Sequence, residues 1–464
     1  GIIKKCGTDS PNYAEGSIYA EGSIVRITDN GSTTSLPWGQ YLGGSSGDFV
    51  TALVVKGYNI YIGGYSASPA SNSVPWDNAK NKNTDAGNEK NIAWYGTHSG
   101  YVEGFVIKIT DNGTTPKPVW GQWLGGANFD YVYDLAINEK NDDIYVSGRS
   151  QSSTWGGEDG EDGISWKGDN VNKKLKLFVV KITDGGASPT LKWGQWLDLI
   201  GYSPTYGVTC ILAINEKNCG IYVSGGIGGG AFTWETERPH EYGTNSGGGE
   251  VFIIRVTDTI TTSRLDWIQW LGGEKRDFVH DLVVNKVNNS IYVGGGSFSS
   301  NPWAGEEKIS WQTLHSGNDE GFVVKIIDNF NTTTSRWEPN LGWGQWLGGK
   351  EEAERVSCLA VRGNSIYAGG WTTGYTSWLG ETAIKWNSQT PPDYIGGGPF
   401  VVKITDAGDM PRLRWGQWLP GYPPGALAVS GKNIYMVGYA SSTVKKLTDN
   451  ESDNNNAIFF GCNS

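Results

Sequence analysis

Carboxylates and imidazoles are the first places to look for chemistry in this 464-residue chain. Acidic side chains gather at 85–89 (DAGNE), at 158–163 (EDGEDG) and at Glu306 and Glu307. The EDGEDG run offers Asp159 and Asp162 as oxygen ligands for calcium, the hard cation that carboxylates suit. Its spacing is not that of an EF-hand loop, and a solvated acidic turn accounts for it better. The four histidines, His98, His240, His280 and His315, stand far apart without zinc-ligand spacing. No nucleophile elbow, phosphate-binding glycine loop or HExxH pair occurs. No catalytic residue, metal ligand set or cofactor is therefore expected beyond the weak calcium candidate. A carboxylate pair for glycoside hydrolysis would have to be assembled from distant loops.

Asp48, Asp130 and Asp277 recur at matched places (GGSSGD, GGANFD, GGEKRD). A single active site needs one constellation rather than several copies, so these acids read as turn caps. Five cysteines are too few and too scattered for a disulfide framework. Cys6 and Cys462, at opposite ends, are the one candidate disulfide, which a closed ring would bring together. Cys210 and Cys219 flank a hairpin out of register for a bridge, and Cys358 reads as a small core residue.

The elements that position these residues announce themselves by repetition. WGQWLGG occurs at Trp120 and again at Trp343, with near copies at Trp38, Trp193, Trp267 and Trp415, 72 to 82 residues apart. Three further phrases keep the same beat: an apolar run such as DLAIN (Asp134), an IYVSG-like run, and FVVKITD (Phe178, Phe400). All are short, rich in β-branched and aromatic residues, and bounded by turn formers. Four strands per unit, repeated, predict an all-β, seven-bladed β-propeller with four antiparallel strands per blade, forming one domain over 1–464. The blades fall near 1–44, 45–126, 127–200, 201–273, 274–349, 350–420 and 421–464. Their count takes SIYAEG (Ser17) as a strand of the first blade, with VKKLTDN (Val444) and AIFFG (Ala457) in the last, and the terminal blades close the ring.

The pattern resembles the SBBP-type β-propeller repeat, whose units combine a GG…D turn, an "IAVD..GNIYVTG" hairpin and an "FVAKL" strand. The resemblance implies a secreted or surface-attached protein and little about activity. Alternation along the WGQW strand puts Trp120, Gln122 and Leu124 on one face and Gly121 and Trp123 on the other. Both tryptophans are expected to fill space between sheets, each contributing several kcal/mol at ~25 cal/mol per Å².

Long inserts separate the second and third strands of five units, at 65–104, 149–177, 226–251, 296–321 and 371–399. They carry Trp76, Trp94, Trp155, Trp166, Trp234, Trp303, Trp311, Trp378 and Trp386, the candidate partner-binding residues. Two readings stand: a lid folded over its own sheet, or a contact surface. Five sequons, at Asn30, Asn112, Asn288, Asn331 and Asn450, fall in turns on the opposite face and are the glycosylation candidates.

Net charge of −11 without a basic cluster excludes a nucleic-acid binder, and no apolar run is long enough to span a bilayer. The chain starts at Gly1, so an upstream secretory segment is expected to have been removed. The functional expectation is a non-enzymatic extracellular or cell-surface module for protein binding or self-assembly, acting through the insert face. The alternatives are a lectin using loop tryptophans and a polysaccharide-active enzyme at the central channel.

Overall fold

A computed structural model describes residues 22–29, 34–42, 46–68, 92–98, 101–153, 155, 164–168, 176–197, 210–227, 238–299, 303, 309–313, 315, 319–348, 353–373, 385–386, 398–419 and 424–438. Among them every regular element is a strand. A hairpin, β1 (Gly22–Asp29) and β2 (Thr34–Leu42), comes first. Sheet one holds β3 (Asp48–Lys56), β4 (Asn59–Ser66), β5 (Ala93–Tyr95), β6 (Glu103–Asp111) and β7 (Pro116–Leu124). Sheet two holds β8 (Asp130–Ile137), β9 (Asp143–Ser150), β10 (Ser165–Lys167), β11 (Lys176–Asp184) and β12 (Pro189–Leu197). Sheet three holds β13 (Ile211–Asn215), β14 (Gly220–Ile227), β15 (His240–Tyr242), β16 (Glu250–Asp258) and β17 (Ser263–Leu271). Sheet four holds β18 (Asp277–Asn285), β19 (Ser290–Ser297), β20 (Ser310–Gln312), β21 (Glu320–Asn331) and β22 (Arg336–Leu347). Sheet five holds β23 (Glu354–Arg362), β24 (Ser365–Thr372), β25 (Lys385–Trp386), β26 (Gly398–Asp406) and β27 (Pro411–Trp418). A last hairpin pairs β28 (Pro424–Ser430) with β29 (Asn433–Gly438).

Within each complete sheet the four phrases of the repeat form an antiparallel meander in chain order. Each insert then returns as a short fifth strand parallel to the WGQW strand, an element the repeat pattern did not predict. Residues of both faces are buried along the third strand of every sheet, because each sheet is covered on both sides by neighbours. The apolar cores lie between consecutive sheets: one joins Tyr145, Val179 and Trp193 of sheet two to Leu212, Ile254 and Trp270 of sheet three. Equivalent cores fill the other gaps. The first strand of each sheet also lies along the first strand of the next, from β3 to β28.

The expected seven-bladed propeller is not the architecture found. Five complete sheets are described instead of seven, and each packs on its successor. The two terminal hairpins make no comparable contact with each other among the described residues. The chain is an all-β solenoid of about five turns, each turn one antiparallel sheet. A strand pattern dictates which faces are buried. The rotation from one repeat to the next, which separates a closed ring from an open stack, comes from side-chain volumes between sheets. The terminal strands assigned at Ser17, Val444 and Ala457 lie outside the described residues, as do Cys6 and Cys462.

Polar contacts lock the stack at one repeated place. Tyr61, Lys108 and Trp120 stand in one register row across β4, β6 and β7, so their side chains share a face. All three donate to Asp184 at the end of β11 in the next sheet: Tyr61 Oη at 2.6 Å, Lys108 Nζ at 2.5 Å and Trp120 Nε1 at 3.1 Å. Tyr145, Lys181 and Trp193 converge likewise on Asp258. Tyr222, Arg255 and Trp267 converge on Asp328, and Tyr292, Lys325 and Trp343 on Asp406. In the opening hairpin Arg26 and Trp38 reach Asp111. The first tryptophan of WGQW is therefore both a wedge and a hydrogen-bond donor.

Candidate functional site

The second tryptophan faces the inserts. Trp94 stacks on Trp123 (4.1 Å between centroids, 13° apart), Trp166 on Trp196 (4.4 Å) and Trp311 on Trp346 (4.2 Å). The glycine between the two tryptophans makes this possible: a Cβ at Gly121 would sit 2.5 Å from the Trp94 ring. Gly194 and Gly344 meet Trp166 and Trp311 in the same way. Where the phrase reads WIQW, Ile268 faces Glu241 rather than a tryptophan. Trp386 pairs in register with Gly416. Trp155 and Trp303 are buried and meet these stacks edge-on. The candidate tryptophans Trp94, Trp155, Trp166, Trp303 and Trp311 thus form lids over their own sheets. Trp76, Trp234 and Trp378 lie outside the described residues, as do Asn30, Asn450, Asp159 and Asp162.

What the insert-bearing end leaves open is a different set of rings. Phe49 and Tyr65 are register partners on β3 and β4 and stack at 4.9 Å. Tyr65 meets Tyr131 of sheet two edge-on at 4.9 Å, and Tyr131 lies parallel to Tyr133 at 6.2 Å. Arg149, the register partner of Tyr131, lays its guanidinium over Tyr131 (4.4 Å) and Tyr133 (5.5 Å). Phe49 is 42% exposed, and nearby on this rim Tyr101 (62%) and Phe129 (41%) form another pair. Among the described residues no carboxylate faces Arg149, and its buried Nε has no hydrogen-bond partner. Burial raises the Tyr65 pKa, Tyr131 adds to the rise and Arg149 opposes it.

A second aromatic–arginine cluster sits at the matching end of sheets four and five. Arg276 and Arg355 lie over Phe278 at 4.3 and 5.0 Å, and Phe278 stacks near His280 and Phe298. Here the cation is answered: Arg355 Nε donates to Asp319 at 2.5 Å.

Recurring acids anchor both clusters. Asp130 accepts from the Gly126 amide (2.9 Å), from Ser152 Oγ (2.8 Å) and from Ser150 Oγ, tying the start of an insert to the turn before β8. Asp277 does the same with Gly273, Ser299 and Ser297, and Asp48 with Ser66 and Ser68. The turn-cap role expected for these acids matches this geometry. Burial pushes Asp130 and Asp277 up to about 6, and Glu250, beside Asp277, up to about 7. In the inter-sheet rows burial also works upward, but hydrogen bonds from Lys108, Lys181 and Lys325 hold Asp184, Asp258 and Asp406 below the usual carboxylate range.

The four histidines are not brought together. His98 and His315 each meet a WGQW ring edge-on at 4.7 Å, His240 lies beside Arg336, and His280 stacks near Phe278. No group of three metal-ligating side chains occurs among the described residues. Cys210, Cys219 and Cys358 are free thiols. Asn112 and Asn288 are exposed in turns at the end opposite the rim, and Asn331 is half-buried, its Nδ2 donating to Glu338 at 2.9 Å. Sequence reasoning missed Arg149 and the row acids Asp184, Asp258, Asp328 and Asp406. The row acids were visible as the repeated D of KITD. Arg149 carried a signal only as a charged residue where the matching positions are Gly226 and Gly296.

No protein-family model and no curated protein matches the chain. The resemblance to the SBBP-type repeat is therefore withdrawn, and with it the propeller identity it implied. Among the described residues no helix is long and apolar enough to cross a membrane.

Proposed function

We propose that this protein is a non-enzymatic recognition or assembly module, working outside the cell or at its surface. It contacts a protein partner, or a further copy of itself, through the insert-bearing rim. One observation carries the reading. The described insert tryptophans are turned onto their own sheets, whereas Phe49, Tyr101 and Phe129 stay exposed on the rim around an arginine that no carboxylate faces among the described residues. Tyrosine, phenylalanine and arginine are the side chains that anchor protein interfaces. The rim also rests on rigid sheets, so its shape is set before a partner arrives.

The test compares the triple variant Phe49→Ala/Tyr101→Ala/Phe129→Ala with Asn112→Gln on the opposite end. Sedimentation velocity reads self-association and a displayed-peptide panel reads partner binding. Loss of either in the rim variant alone supports the reading, and equal behaviour of the two proteins rejects it. A second reading, glycan recognition, is favoured by the flat exposed rings of Tyr101 and Phe129, and a glycan array distinguishes it.

A further inference from the structure

We propose that Arg149 is the centre of a docking site for an acidic peptide segment of a partner protein. A partner carboxylate completes the hydrogen bonds of the guanidinium while apolar side chains of the same segment lie on Phe49, Tyr65 and Tyr131. The proposal rests on the recognition reading above and names its chemistry.

Arg149 is half-buried, and its guanidinium has one N–H, at Nε, out of water. Its N–H donors are fixed in a planar fork, and one removed from water without an acceptor is unfavourable, the more so when charged. Among the described residues the deeply buried cations of the inter-sheet rows are answered by acids: Lys108 by Asp184, Lys181 by Asp258, Lys325 by Asp406 and Arg255 by Asp328. Among the described residues Arg149 meets the faces of Tyr131 and Tyr133, and its Nε is buried without an acceptor. Those faces supply part of what is needed. They accept no in-plane N–H, so the fork still lacks a planar oxygen pair, which is what a carboxylate offers bidentately.

The site is single. The positions matching Arg149 are Tyr65 in sheet one, Gly226 in sheet three, Gly296 in sheet four and Trp371 in sheet five. The linked rings from Phe49 to Tyr133 run alongside Arg149 across two sheets, an anchor row of the kind found at the centre of protein interfaces.

The experiment selects binders to the full chain from a short random-peptide display library, then measures the selected peptides by calorimetry. The expected result is a set enriched in Asp and Glu whose affinity falls as salt rises. Arg149→Gln should weaken binding at least about tenfold, the scale expected when one partner of a buried charge pair is lost. Asn and Gln versions of the same peptides should lose as much against the unaltered protein, so the result does not depend on a variant's folding. Peptides without acid enrichment, peptides that bind Arg149→Gln unchanged, or no selected peptide at all would overturn the proposal. So would Arg149-dependent binding of an oligogalacturonate probe instead of peptides, since that places a glycan on the site. If the rim triple variant loses the peptides while Arg149→Gln keeps them, the rim reading stands and the acidic segment falls. If both variants keep them, both fall.

Discussion

Arg255 and Arg149 make an instructive pair. Both lay a guanidinium over an aromatic ring at nearly the same distance, 4.3 Å to Trp337 and 4.4 Å to Tyr131. Arg255 is fully buried, donates through Nε to Asp328 at 2.8 Å and also contacts Asp266. Arg149 has no carboxylate at all among the described residues. The first belongs to a row repeated in the four gaps between the complete sheets, and the second interrupts the repeat. The difference teaches where to look in a repeat protein: satisfied, recurring polar groups hold the array together, and the unsatisfied exception marks what it meets.

The largest effect expected on this contrast comes from the rows. Trp267→Ala removes a fully buried ring and leaves the Asp328 side chain short of a donor, so it should cost about 3–5 kcal/mol. Phe49→Ala on the rim should stay under about 1 kcal/mol. Chemical denaturation reads both, and equal losses would erase the distinction between row and rim.

Next in size is a pH effect. Asp130 and Asp277 have folded-state values raised to about 6 from an ordinary 3.8, so their favourable contribution is complete below the ordinary value. It is lost as pH rises through about 6, by up to roughly 3 kcal/mol per group. The lowered acids Asp184, Asp258 and Asp406 work in the opposite sense, and their contribution is lost as pH falls through the acid range. Denaturation midpoints followed from pH 4 to 7 should therefore decline less in Asp130→Asn and Asp277→Asn than in the parent protein. A decline of unchanged slope would mean that these acids ionise freely in the folded state.

A smaller effect is expected at the lids. Gly121→Ala drives a methyl group into the Trp94 ring and should cost about 1–3 kcal/mol, with a change in tryptophan fluorescence. Ile268→Ala, where the facing residue is Glu241, should leave the fluorescence of its insert unchanged. The smallest effect is at the far end: Asn112→Gln alters an exposed turn residue whose Oδ1 caps Thr114 and Thr115, and should move stability by no more than about 0.5 kcal/mol.

Much of the local design was legible in the amino-acid order. Alternation along WGQW placed both tryptophans in buried positions, and the recurring Asp48, Asp130 and Asp277 were readable as turn caps. The long-range arrangement was not. SIYAEG differs from the strand phrase SIYAGG at one letter, yet a local match carries no information about the angle between one repeat and the next. That angle separates seven blades around an axis from about five turns of a stack. The row acids were hidden for a related reason: Trp120 and Asp184 are 64 residues apart and belong to different repeats, so no motif scan joins them. The fifth strands escaped because three residues with one tryptophan leave no periodicity to detect. Arg149 was invisible because a departure from a repeat has meaning only once its neighbours in space are known.

The central claim is that the repeated rows carry stability whereas Arg149 is held in reserve for an outside carboxylate. Its most direct test is the unfolding free energy of Arg255→Gln and Arg149→Gln, measured side by side at neutral pH. Leaving the buried Asp328 without its cation should make the first change cost about 3–5 kcal/mol. Removing a cation with no acid to leave behind should make the second cost less than about 1 kcal/mol. Equal losses at the two positions would contradict the account.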